Sequence, residues 1–217
     1  TYGWVVPTIS VGDTNYRAVA GDMVKEMLDE LQSNGQTAKD LLLKGMEELG
    51  LGNDPATLKV TFNLAGTDDW YRTLGEYLQQ VYKTELGINL EISFAEWGIF
   101  YDNVTKGNYQ IGFMGWGAYY NDPYDVLSLF MSDYDAIKTG WKNAEYDELI
   151  KKASVEMDEQ TRIQLYKDAE TILIKDEAVV SPLATSSVNQ FVRDYVHGYA
   201  TLGFSNMGFK YVYTAGR

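Results

Sequence analysis

Tyr109-Gln110-Ile111-Gly112-Phe113-Met114-Gly115-Trp116-Gly117-Ala118-Tyr119-Tyr120-Asn121-Asp122-Pro123 is the stretch on which the fold turns. Tyr109 to Met114 is rich in β-formers and apolar enough for a buried strand. Two glycines then frame one large aromatic, Gly115-Trp116-Gly117, and two tyrosines follow. Asp122 and Pro123 have the chemistry of a helix start, Asp as N-cap and Pro at the first helical position. A strand whose carboxyl end feeds a helix through a glycine-rich loop is where open α/β sheets hold ligands. The same residues serve equally as a tight strand-to-helix connection with Trp116 in the core.

Upstream, Leu58, Val60, Phe62 and Leu64 alternate as one apolar strand face, and Ile88, Leu90, Ile92 and Phe94 repeat the pattern. Between them Asp68-Asp69 starts a helix carrying Leu74, Leu78, Val81, Tyr82 and Leu86, closed by Gly87. A strand, a helix and a strand in this order predict a right-handed parallel crossover. Ile99 to Thr105 is a short helix leading into the opening strand. The core is therefore α/β, β-α-β-α-β, with a mixed sheet flanked by helices.

Residues 1–18 show no sustained period, and a helix is expected from Val19, with Met23, Met27 and Leu31 on its stripe. Thr37 caps a second helix, with Asp40 three residues on. Downstream, a short helix spans Pro123 to Met131, Asn143 caps a helix to Glu156, and Asp158 caps another to Lys175. Ala178–Leu183, Val188–Val192 and Phe209–Tyr213 are expected as strands, the last with no evident partner in the chain.

Formal net charge is −13, which argues against nucleic-acid or anionic-membrane partners, because both need a cationic face. With no cysteine, neither a disulfide nor a thiolate metal site can form. No cofactor or metal ligand set is expected; Asp54 and Asp68-Asp69 suit turns and caps. The chain starts at Thr1 without an initiator methionine or signal core, as a processed or excised piece does. Aromatic content is 14%, with 17 tyrosines and 5 tryptophans, a supply of rigid amphipathic side chains for binding surfaces.

No nucleophile elbow, phosphate loop or zinc-helix motif occurs, and the single histidine, His197, is a surface or packing residue. A carboxylate pair could run glycoside hydrolysis, and Glu96 and Asp122 both lie near expected strand ends. Asp122 already has a capping task, so a non-enzymatic binding reading is preferred. Trp97 and Trp116 follow successive strands and are expected on one sheet edge. The glycines beside Trp116 leave main chain open for an extended peptide to pair as an added strand.

These residues resemble the oligopeptide-type (family 5) extracellular solute-binding proteins of ABC importers. Tyr2-Gly3-Trp4-Val5-Val6-Pro7 is similar to that family's Gly-x-x-Pro-Pro loop, and Ala38-Lys39-Asp40-Leu41-Leu42 through Glu48-Leu49-Gly50 to its A-K-x-L-L…G helix. Glu96-Trp97 and Gly115 through Pro123 resemble its most characteristic segments, and Tyr146–Ile150 and Arg162–Glu170 its two late helices. The resemblance implies one lobe of a two-lobed clamp that closes on a peptide or peptide-like solute, with a sugar or other small solute as the alternative, and delivers it to a membrane permease. Residues 1–187 would form the C-terminal lobe, and 188–217 a returning tail that completes the missing N-terminal lobe. The implied location is extracytoplasmic, in a periplasm or lipid-anchored at the cell surface.

Carried over by position, Gly115, Trp116 and Gly117 match the peptide-pairing strand, Trp97 a pocket tryptophan, and Tyr119 and Asn121 the loop beyond it. Peptide binders commonly hold an aspartate where Tyr119 stands, and some hold arginines where Val104 and Phe113 stand. A tyrosine hydroxyl carries no charge, and charge-assisted hydrogen bonds are roughly twice as strong as neutral ones. The departures imply recognition by backbone pairing and aromatic contact rather than by ion pairs at peptide termini.

Overall fold

A computed structural model describes residues 1–134, 137–187, 189–199 and 209–216. They divide into two compact units: a helical unit of residues 1–25, 116–133 and 142–217, and a sheet unit of 26–115 and 134–141.

The helical unit opens with a small antiparallel ribbon, β1 (Ser10–Val11) and β2 (Thr14–Asn15), turning at Gly12 with φ 56°. Asn15 Oδ1 accepts from the Ala18 N–H at 3.0 Å and caps α1 (Tyr16–Ala20). Helix α2 (Met23–Ser33) starts separately, with Asp22 Oδ1 accepting from the Lys25 N–H at 2.9 Å. The single helix expected from Val19 is thus two, and residues 1–18 are more regular than their pattern. The break is Gly21, at φ 80°, whose N–H closes α1 on the Arg17 carbonyl at 3.0 Å. An apolar period cannot register a break made by one backbone angle.

In the sheet unit, α3 (Ala38–Glu48) carries the expected capping box: Thr37 Oγ1 accepts from the Asp40 N–H, and Asp40 Oδ2 accepts from the Thr37 N–H. Then come β3 (Val60–Ala65), α4 (Asp69–Val81), β4 (Leu90–Ala95), α5 (Trp97–Lys106) and β5 (Ile111–Phe113). The strands lie in the order β4-β3-β5, all parallel, with Leu64 opposite both Phe94 and Phe113. Antiparallel pairing among the described residues is confined to two separate two-stranded ribbons. Asp68 caps α4 through Trp70 N at 3.0 Å and Tyr71 N at 3.2 Å, and Gly87 at φ 83° closes the π-helical turn, residues 82–86, that continues it.

Alternation explains the two-sided burial. Phe62 and Leu64 face Leu78 and Leu74 of α4, whereas Ala65 faces Phe100 and Val104 of α5. The chain runs from central β3 to one flank and then to the other, so the strand order reverses between β3 and β5.

Back in the helical unit, Asp122 accepts from the Tyr124 N–H at 2.9 Å and starts α6 (Pro123–Leu127), as expected. Helices α7 (Ala144–Val155) and α8 (Glu159–Thr171) begin at their expected caps, Asn143 and Asp158. Ile150, Ala153, Ile163 and Tyr166 of this pair are buried, as is Leu173 in the π-helical turn 172–176 that continues α8. Tyr146, also fully buried, donates its hydroxyl to the Leu127 carbonyl at 2.6 Å, and burial raises its pKa well above that of free tyrosine.

The polar centre of this unit is Glu170, with no exposed surface. Its Oε1 accepts from the N–H groups of Trp4 (2.8 Å) and Val5 (2.9 Å) and from the Arg17 guanidinium. Its Oε2 accepts from the Tyr16 hydroxyl at 2.8 Å. Arg17 Nε in turn donates to the Val5 carbonyl at 2.8 Å. A buried carboxylate surrounded by donors in this way pins the N-terminal segment to α8.

The strand expected over Ala178–Leu183 is irregular. Val179 N donates at 2.9 Å to the Leu173 carbonyl, and Pro182 has no N–H, so these residues close the preceding helix instead of joining a sheet. Residues 189–192 are likewise irregular, and Val188 lies outside the described residues. Of Phe209–Tyr213, only the end is strand: β6 (Val196–His197) pairs antiparallel with β7 (Tyr213–Thr214), giving that segment a partner. No helix among the described residues is long and apolar enough to cross a membrane.

Candidate ligand-binding site

Residues with binding chemistry gather in the sheet unit at the carboxyl ends of its strands. Beyond β3 lie Gly66, Thr67 and Trp70; beyond β4, Glu96 and Trp97; beyond β5, Met114 and Gly115. In open parallel sheets this edge, at the point where strand order reverses, is where ligands sit.

Trp97 is the first residue of α5, 53% exposed, and stacks on Tyr101 with ring centroids 5.8 Å apart and planes 26° apart. Gly115 is exposed, and a Cβ built on it meets nothing within 4 Å. It follows β5, an edge strand among the described residues, whose outer main-chain groups are free to pair with an added strand. Glu96, one half of the carboxylate pair, accepts a long hydrogen bond from the Thr67 hydroxyl at 3.3 Å.

A further aromatic stands here that the apolar period of α4 does not include. Trp70 is 58% exposed, edge-on to Tyr71 at 4.8 Å and tilted against Phe113 at 6.0 Å. Tyr71 is seated against Gly66, which has φ 152°; a Cβ there would lie 2.2 Å from the Tyr71 ring. Its sequence signal is its position: a tryptophan in the first turn of a helix, off the stripe of Leu74 and Leu78, directly after a strand.

Trp116, Gly117, Tyr119 and Asn121 belong to the helical unit. Trp116 is half-buried and meets Tyr119 edge-on at 6.4 Å; Gly117 is exposed, with open space around its Cβ position. Tyr119 is 74% exposed, while its N–H is fixed to Asp125 Oδ2 at 2.6 Å. Asn121 Oδ1 accepts from the Ser10 N–H at 2.8 Å and ties the loop to β1. Asp122 is likewise structural, joining Tyr166 at 2.9 Å and Arg162 at 2.7 Å. Tyr120, beside Asp125 and Asp122, has its pKa pushed up to about 12, first by burial and then by those carboxylates. The loop is thus clamped on one side and open at its glycines and Tyr119.

The sequence model of the bacterial extracellular solute-binding proteins, family 5, middle region, matches residues 2–138. The chain belongs to this family. Among the relatives of this family 5 chain, the oligopeptide-binding protein OppA of Bacillus subtilis is 36% identical over 151 residues, 68% of this chain and 27% of that protein. The dipeptide-binding protein DppE of the same organism is 32% identical over 166 residues, 76% of this chain and 28% of that protein. The chain therefore spans little more than a quarter of the length of these curated relatives. Listeria monocytogenes OppA bound to peptide superposes with a TM-score of 0.72 over 100% of this chain and 40% of that one; at 22% identity this is a likeness of fold.

Val104, Phe113 and Tyr119, the positions expected to differ from peptide binders, have distinct settings in this family 5 chain. Val104 is 3% exposed on the face of α5 that packs against Ala65 of β3, so that position is closed to solvent. Phe113 is half-buried and engaged by Trp70, and Tyr119 projects into solvent.

Proposed function

We propose that this chain is part of the substrate-binding component of an ABC importer, which captures peptides or a peptide-like solute outside the cytoplasm and delivers it to a membrane permease. In the sheet unit Gly115 offers main chain for ligand pairing and Trp97 an aromatic contact; in the helical unit Trp116 and Gly117 offer main chain and Tyr119 an aromatic contact. Asn121 shapes the loop through Ser10. The observation that carries this reading is the openness of both glycines, each exposed and with nothing within 4 Å of its Cβ position. Backbone pairing is indifferent to side chains and suits varied sequences. The names of the relatives, oligopeptide- and dipeptide-binding proteins, support the ligand class. Residues 1–187 act as one lobe, and the tail 188–217 helps complete a second lobe in a longer protein.

With tyrosine at position 119, the ligand's α-ammonium meets a neutral hydroxyl. Calorimetry on the full-length protein should therefore give free and N-acetylated peptides dissociation constants within about threefold of each other, about 0.65 kcal/mol. A hundredfold loss on acetylation removes the neutral-terminus mode. Binding of oligosaccharides with no response to any peptide removes the peptide reading itself.

A further inference from the structure

We infer that Trp70, supported by Phe113 and Tyr71, is a specificity-determining platform that selects an apolar or aromatic side chain at one position of the bound ligand. This rests on the peptide reading above and adds which side chain of the peptide is chosen, and by what.

The platform lies on one face of the sheet unit. Phe62 and Leu64 pair in register with Ile111 and Phe113, and all four pack on the α4 side. Trp70 sits in the first turn of α4 and leans on Phe113, so its ring extends that face past the carboxyl end of the sheet. The neighbours leave it little freedom. Tyr71 meets it at 89° and is itself lodged against Gly66, where a side chain would clash at 2.2 Å. More than half of this tryptophan is exposed although it is braced on two sides by aromatic rings. A braced, exposed indole is preorganised to accept another apolar group, because the ordering cost is met before binding.

Strand geometry says which ligand residue arrives there. Side chains of an added strand alternate between faces, and neighbouring strands lie about 4.8 Å apart. A peptide paired along the extension of β5 therefore directs alternate side chains to the α4 face, beside Phe113 and Trp70, and the intervening ones to the other face. Selection should be confined to one position of a tripeptide.

The test uses the full-length protein, calorimetry, and four probes: trialanine, Phe-Ala-Ala, Ala-Phe-Ala and Ala-Ala-Phe. One phenylalanine peptide should bind about tenfold more tightly than trialanine, the scale of one well-placed aromatic contact. In Trp70→Ala that preference should fall to within twofold while trialanine affinity holds, and in Trp70→Phe it should persist. Melting temperatures identify any variant that fails to fold, and Trp70→Phe then carries the comparison with Phe113→Ala. Retention of the preference in Trp70→Ala overturns the inference, as does an equal loss for all four peptides. If peptides bind but none is preferred, the platform fails and the peptide reading stands. If no peptide binds the wild-type protein, both fail.

Discussion

In the sheet unit, stabilising contacts converge on β3, which pairs with β4 and β5 and packs against α4 and α5, all within the one continuous stretch 60–113. The helical unit is assembled from three separate stretches of chain, and its polar centre joins Arg17 to Glu170 across 153 residues. One unit is built on alternation and burial of apolar surface. The other depends on a single buried carboxylate that must satisfy four donors. A parallel crossover tolerates imperfect packing by small rearrangements, whereas a buried charge with its partner removed has no inexpensive alternative.

The largest effect should therefore come from Glu170→Gln, which leaves the Arg17 guanidinium buried without its counter-charge and turns an amide donor toward existing donors. A loss of about 3–5 kcal/mol is expected. Hydrogen exchange locates it: protection should collapse in α7 and α8, while β3 amides lose less. Equal loss in both units would break the comparison. Leu64→Ala is the counterpart, removing a fully buried side chain from the middle of the sheet unit. About 2–5 kcal/mol should be lost there, seen first at β3 and β4.

The same contrast decides what was legible in the sequence. Strands β3 and β4 could be read because Phe62 and Leu64, then Leu90 and Ile92, alternate, and the caps at Thr37, Asp122, Asn143 and Asp158 because capping is local chemistry. The Glu170 cluster was invisible: nothing near Glu170 in the sequence names Trp4, Tyr16 or Arg17. Gly21 hid the break between α1 and α2 for a related reason, since a φ of 80° is a backbone event. Gly115, Gly117 and Trp97 were legible as exposed residues because loop and aromatic chemistry flagged them. Trp70 was passed over because it lies off the apolar stripe, and the Asn121 contact to Ser10 could not be read because the two residues lie 111 positions apart.

A smaller effect sharpens the picture of the sheet unit's packing. Gly75 of α4 lies over the sheet, and an added Cβ would meet Ile92 and Phe94 at 3.1 Å and Leu64 at 3.3 Å. Gly75→Ala gains about 1 kcal/mol of helix propensity and incurs about 1–3 kcal/mol of overpacking. A net loss of about 1 kcal/mol by urea denaturation is expected. A gain would show that α4 shifts off the sheet freely.

The smallest effect concerns the capping box of α3, where local chemistry acts without burial. The Thr37 hydroxyl and N–H both donate to Asp40, holding its carboxyl below the usual aspartate range. A depressed folded pKa contributes stability that is fully present above the unfolded value and is lost as pH falls through the folded one. Amides in the first turn of α3 should therefore exchange faster, relative to intrinsic rates, as pH drops below about 4. In Asp40→Asn the acid dependence should vanish and the turn should be loosened at every pH. No global stability change is expected, since the cap is fully exposed. Acid loosening that persists in Asp40→Asn would assign the effect to another carboxylate on the same helix.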